Sequence, residues 1–121
     1  MFDLERDGRS AVQEVKICFG DLIGKEKEDA WVIIEEPDTF DCLKIKATPK
    51  DELGKPDFII GYFKEIFPKY LVDHSFTKGN AKATAEEVEG FIFRKMPVAD
   101  YVTGEYFKAV FLVPQNQRKE R

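Results

Sequence analysis

The tripeptide Asp73-His74-Ser75 contains the three side-chain types of a hydrolytic triad, and His74 is the only histidine in the chain. In such a triad the histidine takes the proton of a serine nucleophile and the aspartate orients the imidazole, so the three side chains must converge. Consecutive residues cannot converge, because their side chains point about 100° apart on a helix and to opposite faces on a strand. The sequence therefore predicts no triad here.

The other polar residues do not form the pattern of an active site or a ligand site. Carboxylate pairs fall in predicted loops and helix starts, where they stay hydrated. One histidine and two cysteines without paired spacing give no metal-ligand motif, and no glycine-rich phosphate-binding motif occurs. We expect no catalytic residue, metal, cofactor or small-molecule substrate; a small enzyme stays the third alternative. The carboxylate pairs are Glu35-Glu36, Asp51-Glu52 and Glu86-Glu87.

Charge and cysteine usage limit the partners and the compartment. The formal net charge is −4 and the pI is near 5.1, which disfavours nucleic acid as a partner. The N-terminal segment 1–10 lacks the apolar stretch of a secretory signal, and no window approaches the roughly 18 apolar residues of a membrane span. We interpret Cys18 and Cys42 as buried thiols. A cytoplasmic protein without membrane contact is expected.

The N-terminal part of the chain has the hydrophobic pattern of β-strands. Val15, Ile17 and Phe19 alternate with polar or small residues, which predicts a strand with one buried face. The β-branched run 30–34 predicts a second strand. The charged segment 24–29 between them predicts a solvated hairpin connection.

Residues 39–47 fit two different structures. Leu43 and Ile45 alternate with lysines, as in a strand. Asp38 or Thr39 could equally cap a short helix that carries Phe40 and Leu43 on one face. We favour the helix.

The segment 57–71 has apolar residues at the spacing of one helical face. Asp57 can cap this helix. Pro68 interrupts the pattern, which predicts two short helical pieces that meet near Phe67. Because His74 follows this face, we interpret it as a cation at a helix C-terminus or as a hydrogen-bonded wall of the core.

Two further helices are predicted after a turn at residues 77–80. Thr84 and Glu87 form a capping box that opens the first of them. Pro97 permits a new start, and apolar residues at helical spacing continue from there to Val113.

The order of these elements predicts an α+β fold, with a small antiparallel sheet or hairpin near the N-terminus followed by three or four packed helices. A length of 121 residues fits one domain. We expect a flexible N-terminal segment at 1–10, a single domain at 11–113 and a polar C-terminal tail at 114–121.

Aromatic residues are numerous for a domain of this size, with eleven Phe, four Tyr and one Trp. Phe107 and Phe111 lie four residues apart and off the face of Val102 and Tyr106, so they form a second apolar row. Two apolar rows on one helix predict burial from two sides. The helix is then either central within the domain, or it forms an interface with another copy or with an apolar client. The candidate partner-binding residues are Phe58, Tyr62, Phe63, Phe67, Phe93, Phe107 and Phe111.

Three stretches of the chain resemble the tail assembly chaperones of long-tailed bacteriophages. They are AWVIIEEPDTF at 30–40, FKEIFPKYLVDHSF at 63–76 and TAEEV at 84–88. The family often combines a tryptophan-containing strand that ends in Glu-Pro, a helix that leads into Leu-Val-Asp-His, and a following Thr-x-Glu-Glu helix. The resemblance covers roughly residues 12–112.

The resemblance implies a non-enzymatic cytoplasmic protein that self-associates and coats the tape measure protein while the tail tube polymerises. In that family a longer form often arises by ribosomal frameshifting, and such an extension would depart within 114–121. His74 would then shape a helix end, with its imidazole satisfying terminal carbonyls. The alternative is a small monomeric adaptor or regulatory domain with all its aromatic side chains internal.

Overall fold

The computed structural model describes residues 1–8 and 12–111. The predicted boundary between residues 10 and 11, the predicted helix end at Val113 and the tail 114–121 lie outside them. The elements are β1 (Glu14–Cys18), β2 (Trp31–Glu35), α1 (Thr39–Lys46), α2 (Lys50–Leu53), α3 (Pro56–Tyr70), β3 (Leu71–His74), β4 (Thr77–Lys78), β5 (Ala81–Lys82), α4 (Ala85–Arg94) and α5 (Met96–Val110).

The strands β1, β2 and β3 form an antiparallel sheet in that order. Val15 pairs with Ile34 and Ile17 pairs with Val32, and all four side chains are buried. The alternation in the sequence therefore places one apolar face of the sheet against the helices. The predicted hairpin and the predicted α+β class are confirmed.

The connection between β1 and β2 contains two short 3₁₀ turns, Gly20–Ile23 and Lys27–Asp29. Gly20 is required by close packing within this connection, because a Cβ atom there would lie 1.8 Å from the carbonyl oxygen of Glu26. The glycine that ends the strand therefore also allows the connection to fold back on itself.

The helix α3 differs from its prediction at both ends. It runs without interruption from Pro56 to Tyr70, so the predicted break near Phe67 is wrong. Pro68 lies in the last turn and is exposed. Its ring removes one backbone hydrogen bond there, but the helix continues to Tyr70. The predicted cap at Asp57 is also wrong, because Lys55 occupies the cap position and Pro56 takes the first helical position.

Three other helix starts agree with the sequence. Residues 39–46 form a helix, and the Asp38 side chain accepts a hydrogen bond from the Asp41 amide at 2.9 Å. The capping box of α4 is complete: the Glu87 amide donates to Thr84 and the Thr84 amide donates to the Glu87 carboxylate. The last helix, α5, begins at Met96 with proline in its first turn.

The third strand corrects the sequence prediction, because residues 71–74 form β3 and His74 pairs with Val32 of β2. Of the two interpretations of His74, the cation at a helix C-terminus is wrong and the hydrogen-bonded wall of the core is confirmed. The side chain is 7% exposed, and its Nδ1 accepts a hydrogen bond from the Phe76 amide at 3.1 Å. Asp73 forms an ion pair with Lys82, so neighbouring residues of the tripeptide have separate structural partners.

The core lies between the sheet and the helices α3, α4 and α5, which contact one another. Phe63, Phe67, Ile92 and Tyr106 are fully buried there. The ring centroids of Phe63 and Tyr106 lie 5.1 Å apart, a distance typical of favourable aromatic pairs. One aromatic cluster thus joins three helices.

Replacement of Thr84 by alanine should lower the free energy of unfolding by about 1 kcal/mol, because the capping box loses its side-chain acceptor. Thr84→Ser keeps the hydroxyl and should stay close to the wild type. Urea denaturation followed by circular dichroism measures both variants. Equal stabilities for Thr84→Ala and the wild type would contradict a stabilising cap.

Candidate protein-binding surface

Four of the seven aromatic residues predicted to contact a partner lie in the core of the chain. Phe63 and Phe67 are fully buried, and Tyr62 and Phe107 are 7% and 8% exposed. In a single copy these four candidates are therefore not exposed to a partner. Of the two predictions for the aromatic rows, the central helix describes α5, which packs against α3, α4 and β1. The other three, Phe58, Phe93 and Phe111, are half-buried against the core.

The helix α1 exposes apolar side chains and buries an acidic one. Phe40 is 77% exposed and Leu43 is 50% exposed. Because they lie three residues apart, they are neighbours on one side of the helix. Asp41, in contrast, is 4% exposed. Ile45 of the same helix is buried in the core. The helix therefore has apolar side chains on two sides, of which only one packs against the domain.

A hydrogen-bonded network around Asp41 attaches α1 to α3. The Tyr70 hydroxyl donates to the Asp41 carboxylate at 2.6 Å, and the Tyr62 hydroxyl donates to the Asp41 carbonyl. The ammonium groups of Lys69 and Lys44 lie 3.4 and 3.6 Å from the carboxylate oxygens. A buried carboxylate needs such partners, since an unpaired one carries a large desolvation cost.

The same network sets the protonation states of its members. The hydrogen bond from Tyr70 lowers the pKa of Asp41 below its ordinary value of 3.8, against the opposing effect of burial. Burial and the bond to Asp41 raise the pKa of Tyr70 to about 12. At neutral pH the carboxylate is therefore ionised and the phenol is protonated. The Tyr70 oxygen also accepts a hydrogen bond from the Asp38 amide, which holds the first turn of α1.

A groove of about 600 Å³ runs beside α1, and we name it the acidic groove. Its charged lining consists of Glu35, Glu36, Asp38 and Lys46, and its apolar lining includes Pro37 and Leu43. None of the ion pairs among residues 1–8 and 12–111 involves the three carboxylates. With three carboxylates and one ammonium group, the lining has a net negative charge next to the apolar side of α1, which favours a positively charged ligand.

The two cysteines do not have the features of reactive thiols. Cys18 and Cys42 are free and half-buried, so both are less buried than expected. The Cys42 thiol donates weakly to the Pro37 carbonyl, and burial raises its pKa, which disfavours the reactive thiolate.

Within the described part of the chain, no three His, Cys, Asp or Glu residues could hold a metal ion together. No described helix has the length and apolar character to cross a membrane.

Replacement of Tyr70 by phenylalanine tests the network through its dependence on pH. Because the pKa of Asp41 is lower in the folded state, its carboxylate adds stability above pH 3.8 and loses this effect as the pH falls through the folded-state pKa. We expect Tyr70→Phe to lower the free energy of unfolding by about 1–3 kcal/mol at pH 7, and by less in acid.

Tyr101→Phe is the matched control, because no hydrogen bond of the Tyr101 hydroxyl occurs within the described residues. Urea denaturation across the acidic range measures both variants. An equal loss of stability in both, or a loss at Tyr70 that does not change with pH, would contradict the assigned role of the Asp41 carboxylate.

Comparison of the chain with protein-family models, with curated proteins and with solved structures finds no match. The resemblance to tail assembly chaperones therefore stays a prediction. The candidate surface consists of the exposed apolar side of α1 and the acidic groove beside it, and the Asp41 network attaches this helix to α3.

Proposed function

We propose that this chain is a non-enzymatic tail assembly chaperone that self-associates and covers helical segments of a tape measure protein. The observation that carries the proposal is the exposure of Phe40 and Leu43 on a helix whose position is fixed by buried hydrogen bonds. Large apolar side chains on a rigid helix suit the capture of a second amphipathic helix. Little ordering is needed on binding, which reduces its entropic cost.

The charges beside α1 specify the chemistry of the client helix. Glu35, Glu36 and Asp38 line the acidic groove next to Leu43. A client with apolar residues three or four positions apart, and with Lys or Arg at the edge of that apolar face, complements both features. We therefore expect the bound segments of the tape measure protein to be amphipathic and locally basic.

Several copies bound along one client would hold it firmly even if each single contact is weak. A long helical client offers many similar sites, so neighbouring chaperones on one client raise the effective concentration of each other. The net charge of −4 keeps free copies soluble. This proposal places the protein in the cytoplasm of the bacterial host.

The burial of Tyr62, Phe63, Phe67 and Phe107 favours the alternative of a monomeric adaptor that uses the same side of α1. Light scattering separates the two hypotheses, because a coat protein forms multimers and an adaptor stays at the mass of one chain, 14.0 kDa.

Co-expression with the tape measure protein of the same genome, followed by pull-down, tests the client site. The double variant Phe40→Ser/Leu43→Ser should weaken binding about 10- to 100-fold, because two exposed apolar anchors are lost. Its own stability should change little, since neither side chain belongs to the core.

Val72→Ser is the control, because Val72 is 47% exposed but belongs to β3 and does not line the acidic groove. The control should bind like the wild type. Absence of a complex with the wild type, or undiminished binding by the double variant, would contradict the proposed client site.

A further inference from the structure

The two edges of the three-stranded sheet differ. At the β3 edge, the register with β2 shifts between Ile33 and Ile34, and the His74 amide donates to the Asp73 carboxylate at 2.8 Å. An irregular edge strand with an occupied amide is a poor template for a further strand. The edge at β1 is regular, because its five residues pair with β2 in one unbroken register.

The backbone groups of alternate residues in β1 face away from β2. The Phe19 amide donates to the Ala30 carbonyl at 2.8 Å, and hydrogen-bonded pairs alternate with other pairs in an antiparallel ladder, so the odd-numbered residues of β1 bond to β2. Glu14, Lys16 and Cys18 therefore direct their amides and carbonyls to the free edge. Among the residues that the structure describes, no backbone group bonds to them there.

The charged side chains of β1 lie on the outer face of the sheet. Glu14 and Lys16 are exposed, and neither forms an ion pair within the described part of one copy. The Lys16 ammonium lies 4.7 Å from the centroid of the Trp31 ring. Glu14 lies directly opposite Glu35 of β2, where two like charges are unfavourable. A cation on the other side of Glu14 would offset this repulsion.

We propose that the β1 strands of two copies pair antiparallel around a two-fold axis at Val15, so that Glu14 of each copy lies opposite Lys16 of the other. The two sheets then continue as one sheet across the dimer, and each free edge satisfies the backbone groups of the other. The inference rests on the self-association in the proposed function and names the surface that produces it.

Hydrogen bonding and charge select this register. The outward-facing groups can bond only if even-numbered residues lie opposite even-numbered residues. An axis at Glu14 would oppose two carboxylates, and an axis at Lys16 would oppose two ammonium groups, which is unfavourable. An axis at Ile17 would leave both charges without an opposite charge. Only the axis at Val15 pairs each Glu14 with a Lys16, and it also sets the two Val15 side chains against each other on the inner apolar face.

The occupant of the edge is a second copy because β1 is complementary to itself. Charged residues on an edge strand usually prevent pairing, but alternating signs do so in every register except the one that matches them. A cleft of about 210 Å³ separates Lys16 and Ile17 from Tyr101 and Glu105 of α5. The described part of α5 therefore leaves this edge open.

The dimer leaves the client-binding surface accessible. Neither Glu14 nor Lys16 lines the acidic groove, and Phe40 and Leu43 belong to α1. Each dimer thus offers two copies of this surface to one long client, which raises the avidity of binding. The two-fold contact itself closes at the dimer, so the client, and not the sheet, sets the number of dimers in a coat.

Reversal of single charges tests the pairing. Glu14→Lys opposes two ammonium groups in each pair, and Lys16→Glu opposes two carboxylates. Each variant should raise the dissociation constant of the dimer about 10- to 100-fold, because two attractive pairs become repulsive. The double variant Glu14→Lys/Lys16→Glu restores opposite charges and should dimerise like the wild type. Glu86→Lys is the control, because it makes the same change in net charge at an exposed position in α4.

Light scattering after size exclusion, at a concentration where the wild type is a dimer, measures the mass of each protein. We expect 14.0 kDa for each single variant of β1, and twice that mass for the double variant and the control. An equal mixture of Glu14→Lys and Lys16→Glu should form dimers again, because one chain then has two lysines opposite two glutamates of the other.

Amide hydrogen exchange locates the contact. In the wild-type dimer the amides of Glu14 and Lys16 should be protected, and in the monomeric variants they should exchange rapidly. The Ile17 amide, which bonds to β2, should stay protected in all of them and verifies that each variant is folded.

A monomeric wild type, dimers that persist in both single variants, a mixture that stays monomeric, or unprotected Glu14 and Lys16 amides in the wild-type dimer would overturn the proposal. The client pull-down distinguishes this failure from failure of the proposed function. The Lys16→Glu variant retains Phe40 and Leu43 and should still bind the tape measure protein, with reduced avidity only.

Discussion

The hydrogen bond from Tyr70 to the buried Asp41 carboxylate is the interaction on which the functional surface depends. A short helix normally attaches to a domain by burying its apolar face. The helix α1 buries one apolar side chain, Ile45, in the core. It also buries the paired charge of Asp41, while its largest apolar side chain, Phe40, is exposed. Loss of one partner would leave a charge in a poorly solvated position. The network therefore both holds α1 and determines which side of it is free.

Of the large apolar side chains of α1, Ile45 belongs to the core, whereas Phe40 and Leu43 are exposed. The aromatic cluster around Phe63 joins α3 to α5 through Tyr106 and reaches α4 through Phe93, while the sheet covers this core with Val32 and its neighbours. Phe40 and Leu43 on α1, and Phe2 and Leu4 near the N-terminus, are exposed outside that core. These apolar side chains are therefore available for contacts with other chains.

Features encoded by local pattern could be predicted from the sequence, whereas features that depend on distant partners could not. Alternation identified β1 and β2, and the Thr84–Glu87 pair identified the start of α4. The strand β3 was missed because it has only four residues and owes its conformation to pairing with β2, about 40 positions earlier. The orientation of α1 could not be predicted for the same reason, because the two tyrosines that bind Asp41 lie 21 and 29 residues after it in the sequence. Periodicity likewise identified the aromatic face of α3 without showing that α5 would cover it.

Amide hydrogen exchange of the isolated protein tests most directly whether the Asp41 network is needed to hold α1 in addition to the burial of Ile45. In Tyr70→Phe, the amides of residues 42–46 should exchange much faster than in the wild type, while those of residues 62–67 in α3 stay protected. In Phe40→Ser/Leu43→Ser, protection of both segments should equal that of the wild type. The account is contradicted if α1 keeps its protection without the Tyr70 hydroxyl, or loses it when only the two apolar side chains are removed.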